Sequence, residues 1–410
     1  MARGINNIQD VPAWQLCMGC GACHAACRKN GVHLVNIESE GIRPLFRPEV
    51  CDTCTDCLSV CPGYRVDVKS LHETKRTPDN AEREFGKTLE IWEGYATDPE
   101  VRYRGSSGGL ISMLTLYCIE KRGMSFALHT GMDESRPWLN RTVVSRTREE
   151  VLARTGSRYA PASPCEGLEK IAQNDGPCVF VGKPCDVAGA YMLAQQNPAL
   201  HKNLGLSLSF CCAGTPSTRG TLDWLDTLQI SPNQVESLNY RGEGWPGGLR
   251  VRQSADSHES FVPYAECWGK LTSYVCWRCR LCPDGLGRLS DITCGDAWQS
   301  YQGEPDGQAE DSGRSIVLVR TERGREILHG AMEAGYITLN AIGSDDVLKA
   351  QVNLLAKRKD LFGRLLALRL FRIPIPRYEG FSLFASWLYL PFLQQVRSVL
   401  GTVKRIVVRK

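Results

Sequence analysis

No uncharged apolar run in this sequence is long enough to span a membrane; the nearest, residues 380–396, is broken by Pro391 and carries Gln394 and Gln395. The stretch Met1–Trp14 lacks the charged-then-apolar order of a secretory signal, so the expected setting is the reducing cytoplasm. No strand pattern leads through G-x-G-x-x-G into a helix, and G-x-x-x-x-G-K-[ST] is missing, which disfavours a Rossmann nicotinamide site and a P-loop. No Ser/His/Asp or Cys/His nucleophile arrangement can be defended from spacing. Net positive charge is confined to the C-terminal end. Residues 357–410 carry 12 Lys and Arg against Asp360 and Glu379, a net +10; the whole chain is +4, so residues 1–356 stand at −6. Cations confined to one tail and interleaved with leucine do not cover a face, and no nucleic-acid partner is expected.

Cysteine, by contrast, is abundant: 19 in 410 residues. A chain of this length exceeds one small core, so two or more domains are expected, and 42% hydrophobic with 23% charged residues is a globular composition. Under reducing conditions closely spaced cysteines are metal ligands sooner than disulfides. Cys17, Cys20, Cys23 and Cys27 follow C-x2-C-x2-C-x3-C, and Cys51, Cys54, Cys57 and Cys61 repeat it with Pro62 behind. Three thiolates of such a run wrap one face of a cubane, and the fourth reaches the neighbouring cluster. One 4Fe-4S cluster is therefore expected on Cys17, Cys20, Cys23 and Cys61, and a second on Cys51, Cys54, Cys57 and Cys27. Gly19, Gly21 and Gly63 suit backbone passing close to sulfide. Zinc prefers two C-x2-C pairs or Cys/His mixtures with four ligands in all, and eight cysteines in two like runs fit cubanes better. Arg28 stands where the fuller pattern has proline, without removing a ligand, and His24 reads as a solvated spacer. Two clusters form a wire, and a wire needs a terminus.

The rest of the chain alternates strand-like and helix-like patterns. Residues 1–70 read as the two-cluster ferredoxin-type domain, too turn-rich for sizeable helices or strands, and 71–92 as a polar linker. Residues 93–345 read as a mixed-sheet α/β domain, and 346–410 as a basic, apolar tail. Helices are expected at 109–122, 186–195, near 218–228 and at 322–334, and strands at 125–131, 177–182, 204–210 and 315–321.

Within that domain RGSSGGL (104–110) places Ser106, Ser107, Gly108 and Gly109 at a helix start, where N–H groups and hydroxyls suit phosphate, although an ordinary turn has the same composition. GSRY (156–159) adds Ser157, Arg158 and Tyr159. VGKPCDVA puts Lys183 and Cys185 just past a buried strand, and FCCAGTPS does the same for Cys211 and Cys212. Cys276, Cys279 and Cys282 (CWRCRLC) are again spaced by two, with Cys294 in DITCGDAW. These cysteines read as a zinc knuckle, as buried apolar residues, or as a third 4Fe-4S cluster built on Cys276 and Cys279 with cysteines from distant loops.

The ordered set RGSSGGL, GSRYAP, VGKPCD, FCCAGTPS, NYRGEGWPG, CWRCRLC and SDITCGDAW resembles the beta-subunit family of coenzyme F420 hydrogenase/dehydrogenase over residues 14–340. The resemblance implies an iron–sulfur flavoprotein in which FAD exchanges electrons with clusters and with a two-electron substrate. It implies that Ser106, Ser107, Gly108 and Gly109 border the flavin phosphates with Ser157 and Tyr159 nearby. It also implies that Cys185, Cys276 and Cys279 hold a flavin-side cluster, completed by Cys212 or Cys282. Family members more usually carry Thr where this sequence has Lys183, a cation able to favour a reduced, anionic state and here counted with the cofactor-binding residues.

Asp291 and Asp296 read as acid/base partners or, more simply, as turn residues, and Arg241 and Trp245 as substrate-side residues or a packed turn. In the tail, residues 381–393 are dense in aromatics and leucine and are followed by Arg397, Lys404, Arg405, Arg409 and Lys410, a pattern suited to an anionic membrane surface or a partner groove. The expected function is an iron–sulfur flavin oxidoreductase, cytoplasmic or peripheral at the inner face of the membrane. It would link an electron-donor or acceptor protein to a deazaflavin or small organic substrate. The alternative is a non-catalytic ferredoxin-type adapter docking on a partner enzyme.

Overall fold

Leu204–Phe210 and its neighbours are largely buried on both faces, as strands sandwiched between helices must be. In the computed structural model, which describes residues 4–51, 54–69, 80–254, 258–301 and 312–408, they lie at the centre of an eight-stranded sheet. Its spatial order is Ile337–Ala341, Glu90–Ala96, Ser315–Val319, Ile292–Asp296, Leu204–Phe210, Cys178–Gly182, Ala127–Met132, Asn140–Ser145. The four strands from Ile292–Asp296 to Ala127–Met132 run parallel, and the flanking pairings are antiparallel. Period-two alternation sends Leu128 and Phe180 to one face, against helix Pro184–Ala194, and Ala127 and Val179 to the other, against Leu110–Lys121 and Glu322–Glu333. Leu114, Leu116, Leu128 and Phe180 are fully buried, each contributing about 2 kcal/mol. The expected helices and strands of this region are present within two or three residues of the bounds read from the sequence.

Three elements depart from expectation. The 23 residues between the cysteine runs hold a hairpin, Val32–Ile37 against Gly41–Phe46. A separate three-stranded antiparallel sheet (Val235–Asn239, Gly248–Gln253, Glu259–Pro263) carries helix Tyr264–Leu271 and has its own core around Trp224, Leu238 and Leu249. Thirdly, the basic tail is folded. Helix Leu361–Leu370 presents Leu361, Leu365 and Leu368 at helical spacing to Leu16, Leu58 and Cys61 of the cysteine-rich region. Arg377–Glu379 then adds a parallel strand to Arg65–Asp67, and Phe392–Val408 ends the described chain. Of the expected linker 71–92, residues 71–79 lie outside the described residues; in the remainder Asn80–Phe85 is a short helix and Glu90 opens a sheet strand.

Close backbone approaches explain the glycines near the cysteines better than sulfide contact does. Gly19 (φ +74°) and Gly21 (φ +87°) lie in the left-handed region, and a Cβ would stand 2.7 Å from the Ile42 carbonyl and 2.9 Å from the Glu166 nitrogen. Gly63 passes its missing Cβ 2.6 Å from the Leu16 carbonyl.

Candidate functional site: cysteine groups beside a cavity at the sheet edge

Each N-terminal run includes a short helical turn, Ala22–Ala25 and Asp56–Ser59; Cys17, Cys20, Cys23 and Cys61 are buried, and Cys27 and Cys57 half-buried. Burial above all raises the Cys23 thiol, and the thiols of Cys20, Cys17, Cys61 and Cys57 add to it; Cys61 is raised by burial and then by Cys20 and Cys17. Cys17, Cys20, Cys23 and Cys61 thus share one buried pocket. Cys57 is pushed up to about 11 by burial, then by Cys27 and Cys54. A Cβ on Gly31 would lie 3.1 Å from Cys51 Sγ and 3.8 Å from Cys27 Sγ, which brings Cys27, Cys51, Cys54 and Cys57 into a second group. Cys51 and Cys54 are exposed.

Among the described residues no three His, Cys, Asp or Glu side chains are spaced to grip one metal ion. A cubane asks something else, one thiolate for each of four irons, and thiols that oppose one another's ionisation in a buried pocket suit such a cationic core. Backbone N–H groups already point at sulfur: Gly19 donates to Cys17 Sγ (3.3 Å) and Gly31 to Cys27 Sγ (3.2 Å). His24 is bound elsewhere, its Nδ1 2.7 Å from the Val32 carbonyl.

A third group lies where the parallel strands end. Burial raises Cys185, followed by Asp186, with Cys212 and Cys282 contributing, and Cys212 is pushed up to about 12 by burial, Cys279 and Cys282. Thr215 N–H donates to Cys279 Sγ at 3.5 Å. Cys282 therefore stands inside this group and Cys276 at its edge. Cys276, pushed to about 11 by burial and then Cys279, meets Arg43 on its other side and donates to the Glu40 carbonyl (3.2 Å); it also acts on Cys17. Cys276 thus marks the seam between the cysteine-rich region and the sheet.

Two residues here escaped the sequence reading. Arg278, 2% exposed, donates to the Pro62 carbonyl (3.0 Å) and faces Cys282, Cys185 and Cys279, a buried cation among the thiols. Cys165 donates to the Asp186 carbonyl (3.1 Å) and hydrogen-bonds Cys20, which lowers the Cys20 thiol. Only the CWRCRLC spacing hinted at the first, and nothing hinted at the second.

Beside the third group opens a cavity of about 770 Å³ at the carboxyl ends of the parallel strands, the usual ligand position in such sheets. Ser106, Ser107, Gly109, Ser157, Tyr159 and Lys183 line it together with Cys211 and Cys212. Gly108 lies behind the wall, its N–H on Ser315 Oγ (3.0 Å). Ser106 Oγ has no hydrogen-bond partner, an orphan hydroxyl on a Gly/Ser loop, which fits a phosphate-bearing ligand. Arg158, a candidate for that phosphate, is engaged by the Leu238 and Pro137 carbonyls and Asn140.

Lys183 Nζ sits 2.7 Å from Asp186 Oδ2, side chains 10% and 1% exposed. Burial opposes both charges and raises the Asp186 carboxyl; Asp186 nonetheless holds Lys183 well above its ordinary value. This pair acts on Cys20 as well, so one ion pair touches both the cavity and the first cysteine group. Across the cavity Arg241, 3% exposed, forks onto Asp296 at 2.6 and 3.0 Å and covers the Tyr264 ring at 4.4 Å. Trp245 Nε1 donates to the same carboxylate (2.9 Å), and Tyr264, Trp298 and Trp245 stack in series, with ring centroids 5.6 and 5.4 Å apart. Asp291 is no acid/base group: it is buried, accepting from Ser207, Thr321 and Arg323. The run Gly242–Gly247 spells G-x-G-x-x-G, yet it joins two strands and opens no helix.

Comparison with known proteins shows the family. Residues 91–169 match the N-terminal part of the family described as coenzyme F420 hydrogenase/dehydrogenase, beta subunit, and residues 177–345 match its C-terminal part. The coenzyme F420 hydrogenase subunit beta of Methanothermobacter thermautotrophicus is 25% identical over 261 residues, 61% of this chain and 84% of that protein. Subunit beta of F420-dependent formate dehydrogenase 1 from Methanococcus maripaludis is 23% identical, covering 62% of each. The fold is similar to a chain of the F420-reducing NiFe hydrogenase complex from Methanosarcina barkeri, with a TM-score of 0.52, 22% identity, and coverage of 70% of this chain and 91% of that one. These relatives are beta subunits of a hydrogenase and a formate dehydrogenase, and the chain belongs to the coenzyme F420 hydrogenase/dehydrogenase beta-subunit family.

Proposed function

We propose that this chain is an iron–sulfur flavin oxidoreductase, passing electrons between three 4Fe-4S clusters and a two-electron substrate through FAD. The observation that carries the reading is the succession of cysteine groups: exposed Cys51 and Cys54, then the buried set of Cys17, Cys20, Cys23 and Cys61, then Cys276 and the group of Cys185, Cys212, Cys279 and Cys282, of which Cys212 lines the cavity. A path from surface to cavity is what a protein partner's electrons require, and the exposed second-run cysteines mark its outer end.

FAD, when bound, supplies the conversion between single electrons and a hydride-type transfer. The Ser106–Gly109 loop would hold its phosphates, with Ser157 and Tyr159 alongside. Lys183 would place a positive charge where a reduced cofactor is anionic, and Asp186 keeps that lysine oriented. Tyr264 and Trp298 offer flat apolar walls to a planar ring system, while Arg241 ties the serine loop to the aromatic wall through the Ser106 carbonyl and Asp296. The substrate is coenzyme F420, as in the relatives' names, or a small organic molecule.

Anaerobic purification followed by iron, sulfide, zinc and flavin analysis on one sample tests this. About twelve iron and one FAD per chain are expected. About eight iron with no flavin, and none taken up on reconstitution, would leave a ferredoxin-type adapter instead.

A further inference from the structure

The last helix, Phe392–Val408, turns an apolar stripe to water. A surface helix of a water-soluble protein buries its apolar stripe and shows water its polar one. Here the residues turned into the body are Ser398, Thr402 and Ile406, while Leu393 is 80% exposed, Leu400 58% and Val407 58%. Two of these three residues are small and polar, which allows a close fit: Ser398 Oγ meets Gly363, where a Cβ would be 1.9 Å away, and accepts from Trp387 Nε1 at 3.0 Å. The preceding helix, Leu383–Leu388, repeats the inversion, burying Ser386 on Arg358 and exposing Phe384 and Leu388. Tyr389 and Phe392, each 74% exposed, form the corner between the two.

Charge selects what this face meets. No acid occurs from Gly380 to the C-terminus. Leu393, Arg397, Leu400, Lys404 and Val407 follow one another at helical spacings of four and three, so cations and aliphatic residues alternate along a single exposed stripe. A protein groove that seated Leu393 and Leu400 would have to bury Arg397 and Lys404 between them. At a lipid surface the leucines enter the acyl boundary while the long cationic side chains extend to phosphates. No helix among the described residues is long and apolar enough to cross a membrane, so the element lies in the interface.

We propose that Leu383–Leu388 and Phe392–Val408 form an in-plane anchor that binds this protein to an anionic lipid bilayer. Because helix Leu361–Leu370 packs against both the anchor and the cysteine-rich region, the anchor holds the cluster-bearing part of the protein at the membrane surface.

The test is flotation of the full-length protein with phosphatidylcholine vesicles made with and without phosphatidylglycerol, at low salt and at about 0.5 M salt. Binding to the anionic vesicles alone, weakened by salt, is expected. Leu393→Ser with Leu400→Ser, both exposed and outside the core, should lower the partition coefficient at least tenfold, and Arg397→Gln with Lys404→Gln about 25-fold, with circular dichroism unchanged. Absence of the wild type from anionic vesicles at low salt, or equal binding by the leucine variant, overturns the proposal. So does a wild-type dimer in sedimentation that the leucine variant dissolves, which would assign the face to a second copy of the chain.

Discussion

Arg241 and Asp296 offer the most direct check on how the cavity is held together. Burial works against the Arg241 charge, yet Asp296 and Tyr159 keep it well above its ordinary value, so the guanidinium is charged at every working pH. Charges about 4 Å apart attract by about 4 kcal/mol at an effective dielectric of 20. Breaking a buried pair from one side costs about 3–5 kcal/mol, because the survivor is left uncompensated. Asp296 is 20% exposed, so the lower end applies: about 3 kcal/mol for Asp296→Asn and a similar figure for Arg241→Met. The double variant leaves no orphan charge and should cost clearly less than the sum, giving a coupling of at least about 2 kcal/mol. Urea unfolding of anaerobic protein, followed by tryptophan emission, measures all three, and Trp245 and Trp298 stand beside the pair. Additive single variants, or singles costing under about 1 kcal/mol, would refute the view that this ion pair joins the serine loop to the aromatic wall.

Three further outcomes are expected. Lys183→Met strands Asp186 in the interior and should lower stability by about 3 kcal/mol, while the double change with Asp186→Leu should recover much of it, as read from urea midpoints. His129, on the cavity wall and 2.8 Å from Ser145 Oγ, is lowered to about 4 by burial. Its folded value lies below the unfolded one, so unfolding takes up a proton between these values; its contribution is full above pH 6.5 and falls by at most about 3 kcal/mol on going to pH 4. His129→Gln should flatten that acid limb in urea titrations repeated across pH. Gly94→Ala would put a Cβ 1.9 Å from the Thr338 carbonyl and displace the edge strand Ile337–Ala341; losing Ile337 and Leu339 from the core should cost about 4 kcal/mol, seen as a lower urea midpoint.

The two N-terminal cysteine groups were legible in the chain because their members are closely and regularly spaced, and spacing is visible in one dimension. The same holds for the central strands and helices, whose periodicities of two and 3.6 are carried by contiguous residues such as 204–210 and 322–333. The third group drew on residues as far apart as Cys185 and Cys282, and its membership depended on which loops end at the same sheet edge. Spacing suggested Cys276, which stands beside Cys279 and also meets Arg43 and the Glu40 carbonyl. The tail shows the converse. Its leucine spacing at 361, 365 and 368 was present in the sequence, but only a docked partner surface reveals that one helix covers the cysteine-rich region while the last turns Ser398 and Thr402 inward. Sequence by itself determined the donor chemistry and the regular elements, since both are written in neighbouring residues. Tertiary structure decided which distant side chains share the cavity, that Arg241 closes on Asp296, and which face of the last helix meets water, because those outcomes depend on burial and charge pairing between segments that no local pattern connects.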